Sequence, residues 1–187
     1  MNNVLAISTR EEFRLWLKEH SQKSRECSLI VKRGKPTKHG FYYLDAVEEA
    51  LCFGWIDSVQ KSIDGVIYQR FSPRSKRSPW TELNKERARR LIKLGLMEKE
   101  GRKVLPPLGS RSYKLDEDIK KALSSHHLLK AFKSFPPLYQ RVRSYNVAFY
   151  KKKDPVMYKK SLTHLINETK KGKMYGEWND YGRLLNY

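Results

Sequence analysis

The chain has 187 residues, with 39 Lys and Arg against 20 Asp and Glu, a formal net charge of +19. Hydrophobic residues make up 39% and aromatics 12%, enough to build a core and to argue against disorder despite 32% charged residues. Two cysteines exclude a disulfide scaffold, and the sequence has neither a collagen-like period, nor a solenoid repeat, nor an apolar run near the roughly 20 residues of a membrane span.

The opening MNNVLAISTREEF lacks a basic leader, and Val4 to Ile7 is too short for a signal segment. Thr9 with Glu12 forms a capping box ahead of Phe13, Trp16 and Leu17, which predicts an amphipathic helix over 9–20. Residues 27–33 (CSLIVKR) read as a buried strand and 34–40 as a loop. A helix over 44–53 carries Ala46, Val47, Ala50 and Leu51 on its apolar stripe, and Gly54 supplies a left-handed end.

Residues 55–63 and 66–71 flank Asp64-Gly65, the signature of a hairpin with a type I′ turn. A two-residue loop sets Lys61 against Tyr68 and Val59 against Arg70, with Asp57, Lys61, Tyr68 and Arg70 sharing one charged face. After the basic loop 73–79 (PRSKRSP), a helix over 79–94 is expected to turn Leu83, Leu91 and Leu94 inward and to pair Glu86 with Arg90 outside. Residues 97–104 form a helical turn and 105–114 a linker, so two regions are expected: 1–110, α+β, and 111–187, helical and packed on the first. Helices are expected over 116–124, 128–135, 137–150 and 155–171, the last with Leu162, Leu165, Ile166 and Thr169 buried. The aromatic tail from Tyr175 to Tyr187 is placed to dock on its own core or on a neighbour.

Charge is uneven. Residues 1–60 are nearly neutral, with nine basic and eight acidic side chains, and the remainder is strongly basic. One positive face of this kind attracts nucleic acid, anionic lipid or a phosphorylated ligand. The five histidines show no metal-ligand spacing, and no phosphate-loop motif is present, so no metal or other cofactor is expected. Cys27 and Cys52 read as buried small hydrophobes of a reducing cytoplasm, Cys52 lying at a helix C-terminus where the dipole disfavours a thiolate. Arg70, Arg74, Lys76 and Arg77, with Trp80 and Asn84 one helical turn apart, offer planar forks and an aromatic ring for an anionic ligand.

Three stretches, EEALCFGWID (48–57), RFSPR (70–74) and SPWTELNKER (78–87), resemble the YdeI/OmpD-associated, or bacteriocin-protection, family, and GKMYGEWNDYGRLLNY (172–187) resembles its Bacteroidetes branch. The resemblance implies a part in resistance to bacteriocins or cationic peptides and, through the family name alone, association with a porin. It supplies no reaction. Net +19 repels a cationic peptide, which favours an indirect, cytoplasmic stress role over direct capture. The resulting expectation is a non-enzymatic binder of an anionic or phosphate-bearing small molecule. Asp57 orients Arg70, Arg70 and Arg74 hold the anion, Trp55 or Trp80 stacks, Asn84 hydrogen-bonds and Lys61 adds charge. The alternatives are a module binding nucleic acid non-specifically through the basic face and a small-molecule enzyme with Asp57 as general base.

Overall fold

The computed structural model describes residues 3–37 and 39–187. The fold is α+β, with one four-stranded sheet in the N-terminal half and helices filling the C-terminal half. Two compact units divide the chain: Met1–Pro79 with Arg87–Pro106 and Tyr187, and Trp80–Glu86 with Pro107–Asn186. The break between Pro106 and Pro107 falls inside the expected linker. The segment Trp80–Glu86 joins the C-terminal helices because Leu83 packs on Leu138, Val142 and Leu184, while Arg141 pairs with Glu82 and Glu86.

In the first unit, strands Val4–Leu5 (β1), Cys27–Ile30 (β2), Trp55–Ile63 (β3) and Val66–Pro73 (β4) lie in the order β1-β2-β4-β3. β1 pairs in parallel with β2, a role the short apolar stretch at Val4 did not announce. The strand expected over 27–33 ends at Ile30, beyond which Lys32 keeps only an isolated bridge to Tyr42. Asp64 and Gly65 both have positive φ, 49° and 76°, as a type I′ turn requires. Helix Arg10–His20 (α1) starts at the Thr9–Glu12 capping box and buries Phe13 and Leu17, and the Phe13 ring meets Phe41 and Phe71 at 6.0 and 5.6 Å.

Helix Tyr43–Cys52 (α2) is buried all round from Leu44 to Cys52, including Asp45, Glu48 and Glu49, rather than on one stripe. Helix Glu82–Lys93 (α3) starts three residues later than the sequence suggests, because the Thr81 hydroxyl accepts from the Asn84 N–H and caps it. Leu91 is fully buried, but Leu94 is 46% exposed. The expected Glu86–Arg90 pair is replaced by Glu86–Arg141 in the second unit and Arg90–Glu48 in the first. Helix Lys99–Lys103 (α4) sets Gly101 so close to α2 that a Cβ there would lie 2.3 Å from the Cys52 carbonyl oxygen.

In the second unit, helices Glu117–Ser125 (α5), Leu129–Ser134 (α6), Pro137–Ala148 (α7) and Pro155–Lys170 (α8) enclose Ile119, Leu123, Phe132, Tyr139, Val147 and Leu165. Three of them start from a local signal: Asp116 and Asp154 cap α5 and α8, and Pro137 and Pro155 open α7 and α8. On α8, Leu165 and Thr169 are buried while Leu162 and Ile166 pack at the margin. The tail from Tyr175 to Trp178 docks on its own unit. Tyr175 and Trp178 stand edge-on to Tyr139, and Arg143 lies over the Tyr175 ring while donating to the Glu177 carbonyl at 2.5 Å.

Candidate functional site

The hairpin departs from regular pairing at one place that matters. Lys61 faces Tyr68, as its two-residue turn dictates, but the register shifts between Asp57 and Gln60, where Gln60 faces Gln69 and Asp57 faces Phe71. Ser58 and Val59 together oppose Arg70, a β-bulge. The extra residue moves Asp57 onto the face of buried Gln69 and Phe71, away from Lys61, Tyr68 and Arg70. The shared charged face expected from the sequence is therefore corrected: Asp57 does not orient Arg70. It accepts instead from the Tyr43 hydroxyl at 2.6 Å. Burial and this adjacent carboxylate keep the Tyr43 phenol protonated, above its ordinary value.

Arg70 is committed elsewhere. Its Nε donates to Glu26 Oε2 at 2.8 Å, its Nη2 donates to the same oxygen, and Nη1 reaches Ser58. Lys61 stands exposed on the hairpin. Trp80 is half-buried and Asn84 buried, and both belong to the second unit.

Trp55 and Arg74 do come together, in a cleft of about 250 Å³ lined also by Gly54, Glu100 and Lys103. Gly54 holds the corner. Its φ of 75° and the Glu100 carbonyl, 3.0 Å from where a Cβ would sit, leave no room for a side chain. Its own carbonyl accepts from the Arg74 N–H at 2.9 Å, which extends the hairpin pairing by one step and fixes Arg74 in the wall. Arg74 is 6% exposed, and its Nη1 donates to the Pro79 carbonyl at 2.9 Å. Burial lowers the guanidinium to about 10, against the support of the Asp57 charge, so it remains a cation at neutral pH. Trp55 is 1% exposed, and its indole N–H donates to the Ser21 carbonyl at 3.1 Å. It forms wall and core, meeting Trp16 edge-on at 5.7 Å, and is not an open ring for stacking. Lys103 is exposed and Glu100 half-buried on the α4 side. The cleft thus presents one buried cation, one exposed cation and one carboxylate.

Sequence reasoning missed a buried ionic cluster. Glu48 is fully buried, accepting from Arg10 at 2.9 Å and from Arg90 at 2.7 Å. Glu49, at 2% exposure, accepts from Arg10 at 2.5 Å and from Arg14 at 2.8 Å, and Arg14 continues to Glu98 at 2.5 Å. Burial pulls the Arg10 guanidinium down, but Glu49 and Glu48 outweigh it and hold it above its ordinary value. Two signals pointed here: adjacent glutamates inside an apolar helix, and arginines spaced i,i+4 on α1. Also missed was a cleft of about 300 Å³ in the second unit, where buried Glu82 meets Lys85 beside Tyr113 and Ser144.

Cys27 and Cys52 are free and buried. Burial raises both thiols to about 12, with Glu26 beside the first and Glu49 beside the second acting in the same direction. Among the described residues no three or more His, Cys, Asp or Glu gather as a metal site, and no helix is long and apolar enough to cross a membrane. No curated protein and no solved structure matches the chain. A family match, described as Domain of unknown function (DUF8412), covers residues 5–104, which hold strands β2 to β4, the cleft and the buried ion network. Matched over more than half its length, the chain belongs to the DUF8412 family.

Proposed function

We propose that the protein binds a small anionic molecule in the cleft at Arg74, and that it does so as a binder rather than a catalyst. The observation that carries this is a guanidinium kept in a cleft wall at 6% exposure, with the ammonium of Lys103 bordering the same space. A guanidinium held in the wall offers an anion charge-assisted hydrogen bonds, about twice as strong as neutral ones. Glu100 lines the same cleft, so the preferred ligand carries a hydrogen-bond donor beside its negative oxygens. Inorganic phosphate, which keeps at least one P–OH at neutral pH, has that pattern; sulfate does not. The resemblance of residues 48–57, 70–74 and 78–87 to the YdeI/OmpD-associated family supports setting such a binder in cytoplasmic stress or bacteriocin resistance.

Calorimetric titration with inorganic phosphate and with sulfate tests the proposal. Phosphate binds more tightly than sulfate. Arg74→Gln lowers phosphate affinity by about thirtyfold or more, the cost of removing one partner of a buried charge pair. Lys103→Glu, on an exposed side chain, lowers it a few-fold without changing the fold. Affinity holds from neutral pH upward and falls once the pH passes about 10, as the Arg74 cation is lost. Equal binding of both anions by wild type and Arg74→Gln contradicts the assignment.

A second reading, non-specific nucleic-acid binding, draws on the exposed Lys61, Lys76 and Arg77 of the first unit and Lys159 and Lys160 of the second. It predicts duplex binding that collapses between about 50 and 200 mM salt and tolerates Arg74→Gln.

A further inference from the structure

Helix α8 packs its inward face on the helical core. Leu165 and Thr169 are buried, and Tyr158, Leu162 and Ile166 pack against the helical core. Its first turn carries apolar residues that the fold does not use. Val156 is 80% exposed and Met157 38% exposed. Just upstream, Phe149 at the end of α7 is 39% exposed. Scattered apolar residues on a surface need no explanation, but three within nine residues, all set among lysines, form a pattern.

The cations around them are available. Lys152, Lys153, Lys159 and Lys160 are exposed, and none is in an ion pair among the described residues. Lys153 lies over the Phe149 ring at 3.7 Å. Lys151, by contrast, is engaged by Asp116 at 3.0 Å and Asp118 at 2.6 Å. The acid of this stretch, Asp154, is turned back to cap α8, accepting from the Met157 N–H at 2.9 Å. Val156, Lys159, Lys160 and Thr163 follow one another at helical spacing and line a single open groove.

We infer that this corner of the C-terminal unit docks on an anionic lipid surface, with Phe149, Val156 and Met157 entering the headgroup boundary and the four lysines meeting lipid phosphates and carboxylates. Charge complementarity selects the occupant. Lysine stems lie along apolar surface while their ammonium groups reach outward, which suits a boundary between acyl chain and headgroup. A polybasic cluster of four lysines is in the range that gives attraction to the anionic leaflet, and attraction of that kind holds firmly only with an apolar component beside it. A nucleic-acid backbone accounts for the lysines but leaves Val156 and Met157 unexplained.

The test is co-sedimentation of the full chain with phosphatidylcholine vesicles, with and without phosphatidylserine. Binding appears only with phosphatidylserine. Lys159→Glu with Lys160→Glu weakens it by about tenfold or more. Val156→Ser with Met157→Ser keeps the charge and the circular dichroism spectrum and weakens binding by about fivefold or more. A polarity-sensitive fluorophore on Val156→Cys shifts to the blue when those vesicles are added. Four results overturn the inference: no sedimentation, equal binding to both vesicle types, an unchanged label at position 156 in sedimented protein, or full binding by the Val156→Ser, Met157→Ser variant. Tight duplex DNA binding through the same lysines with no vesicle binding assigns the patch to nucleic acid instead.

Discussion

The two units fill their interiors in different ways. The first buries helix α2 together with Glu48 and Glu49 and neutralises them with Arg10, Arg14 and Arg90. The second packs aliphatic and aromatic side chains around Phe132, Tyr139 and Leu165, rests its buried Arg143 on the Tyr175 ring and a tail carbonyl, and sets the ion pairs of buried Glu82 and Glu86 with Lys85 and Arg141 outside that apolar cluster. An ionic interior fixes geometry strictly, because each charge must keep its partner, whereas an apolar interior tolerates changes of shape at the cost of volume. The cleft that holds Arg74 belongs to the first unit, whose interior also holds the paired charges of Glu48 and Glu49.

The largest expected effect tests that contrast. Glu48→Ala leaves Arg10 and Arg90 facing an empty position and costs about 3–5 kcal/mol, measured by urea unfolding. The double change Glu48→Met, Arg90→Met recovers part of that loss, since an apolar pair asks for no partner. In the other unit Leu165→Ala costs about 2–5 kcal/mol through its cavity alone, and no second polar-to-apolar change restores it. A Glu48→Ala cost below about 1 kcal/mol removes the distinction between the two interiors.

An intermediate effect is expected at the contact of α4 with α2. Gly101→Ala places a Cβ 2.3 Å from the Cys52 carbonyl oxygen and 2.6 Å from Met97 Sδ, and costs about 1–3 kcal/mol. Gly109→Ala meets nothing within 4 Å and leaves the thermal midpoint unchanged, which makes it the matched control. The same Gly101 variant also moves the α4 wall of the cleft, so phosphate affinity and stability fall together.

The smallest effect lies at the start of α5. Asp116 accepts from the N–H groups of Asp118 and Ile119 and pairs with Lys151. Partial burial pulls its pKa up, but Lys151 and the two N–H groups prevail and hold it below 3.8. A carboxyl depressed in the folded state contributes stability fully above its unfolded value and loses it as the pH falls through the folded one. Asp116→Ala therefore costs about 1 kcal/mol at neutral pH, and the gap from wild type narrows only in acid below 3.8. A gap that stays constant into strong acid contradicts the ionic part of the cap.

Local rules account for much that was legible in the sequence. The Thr9–Glu12 box, the Asp64-Gly65 turn and the helices opened by Pro137 and Pro155 each depend on a few neighbouring residues and form as read, while the α8 stripe buries Leu165 and Thr169 and leaves Leu162 and Ile166 at its margin. What was not legible depends on distant partners. The bulge at Ser58–Val59 has no local signature, yet it carries Asp57 to the opposite face and hands Arg70 to Glu26. Glu86 and Arg90 look like an i,i+4 pair until Arg141 and Glu48, 55 and 42 residues away, take them. For the same reason two of the seven site candidates, Trp55 and Arg74, line the Arg74 cleft, joined by Lys103 from a helix that sequence spacing could not relate to the hairpin.

The most direct measurement is a titration of the full chain with inorganic phosphate, followed by amide NMR. Binding at Arg74 predicts saturable shifts confined to the neighbourhood of Gly54, Arg74 and Lys103, with one dissociation constant and loss in Arg74→Gln. Shifts spread over the exposed lysines of the hairpin and of α8, rising linearly with phosphate and equal with sulfate, would show a polyelectrolyte surface and contradict a site in the cleft.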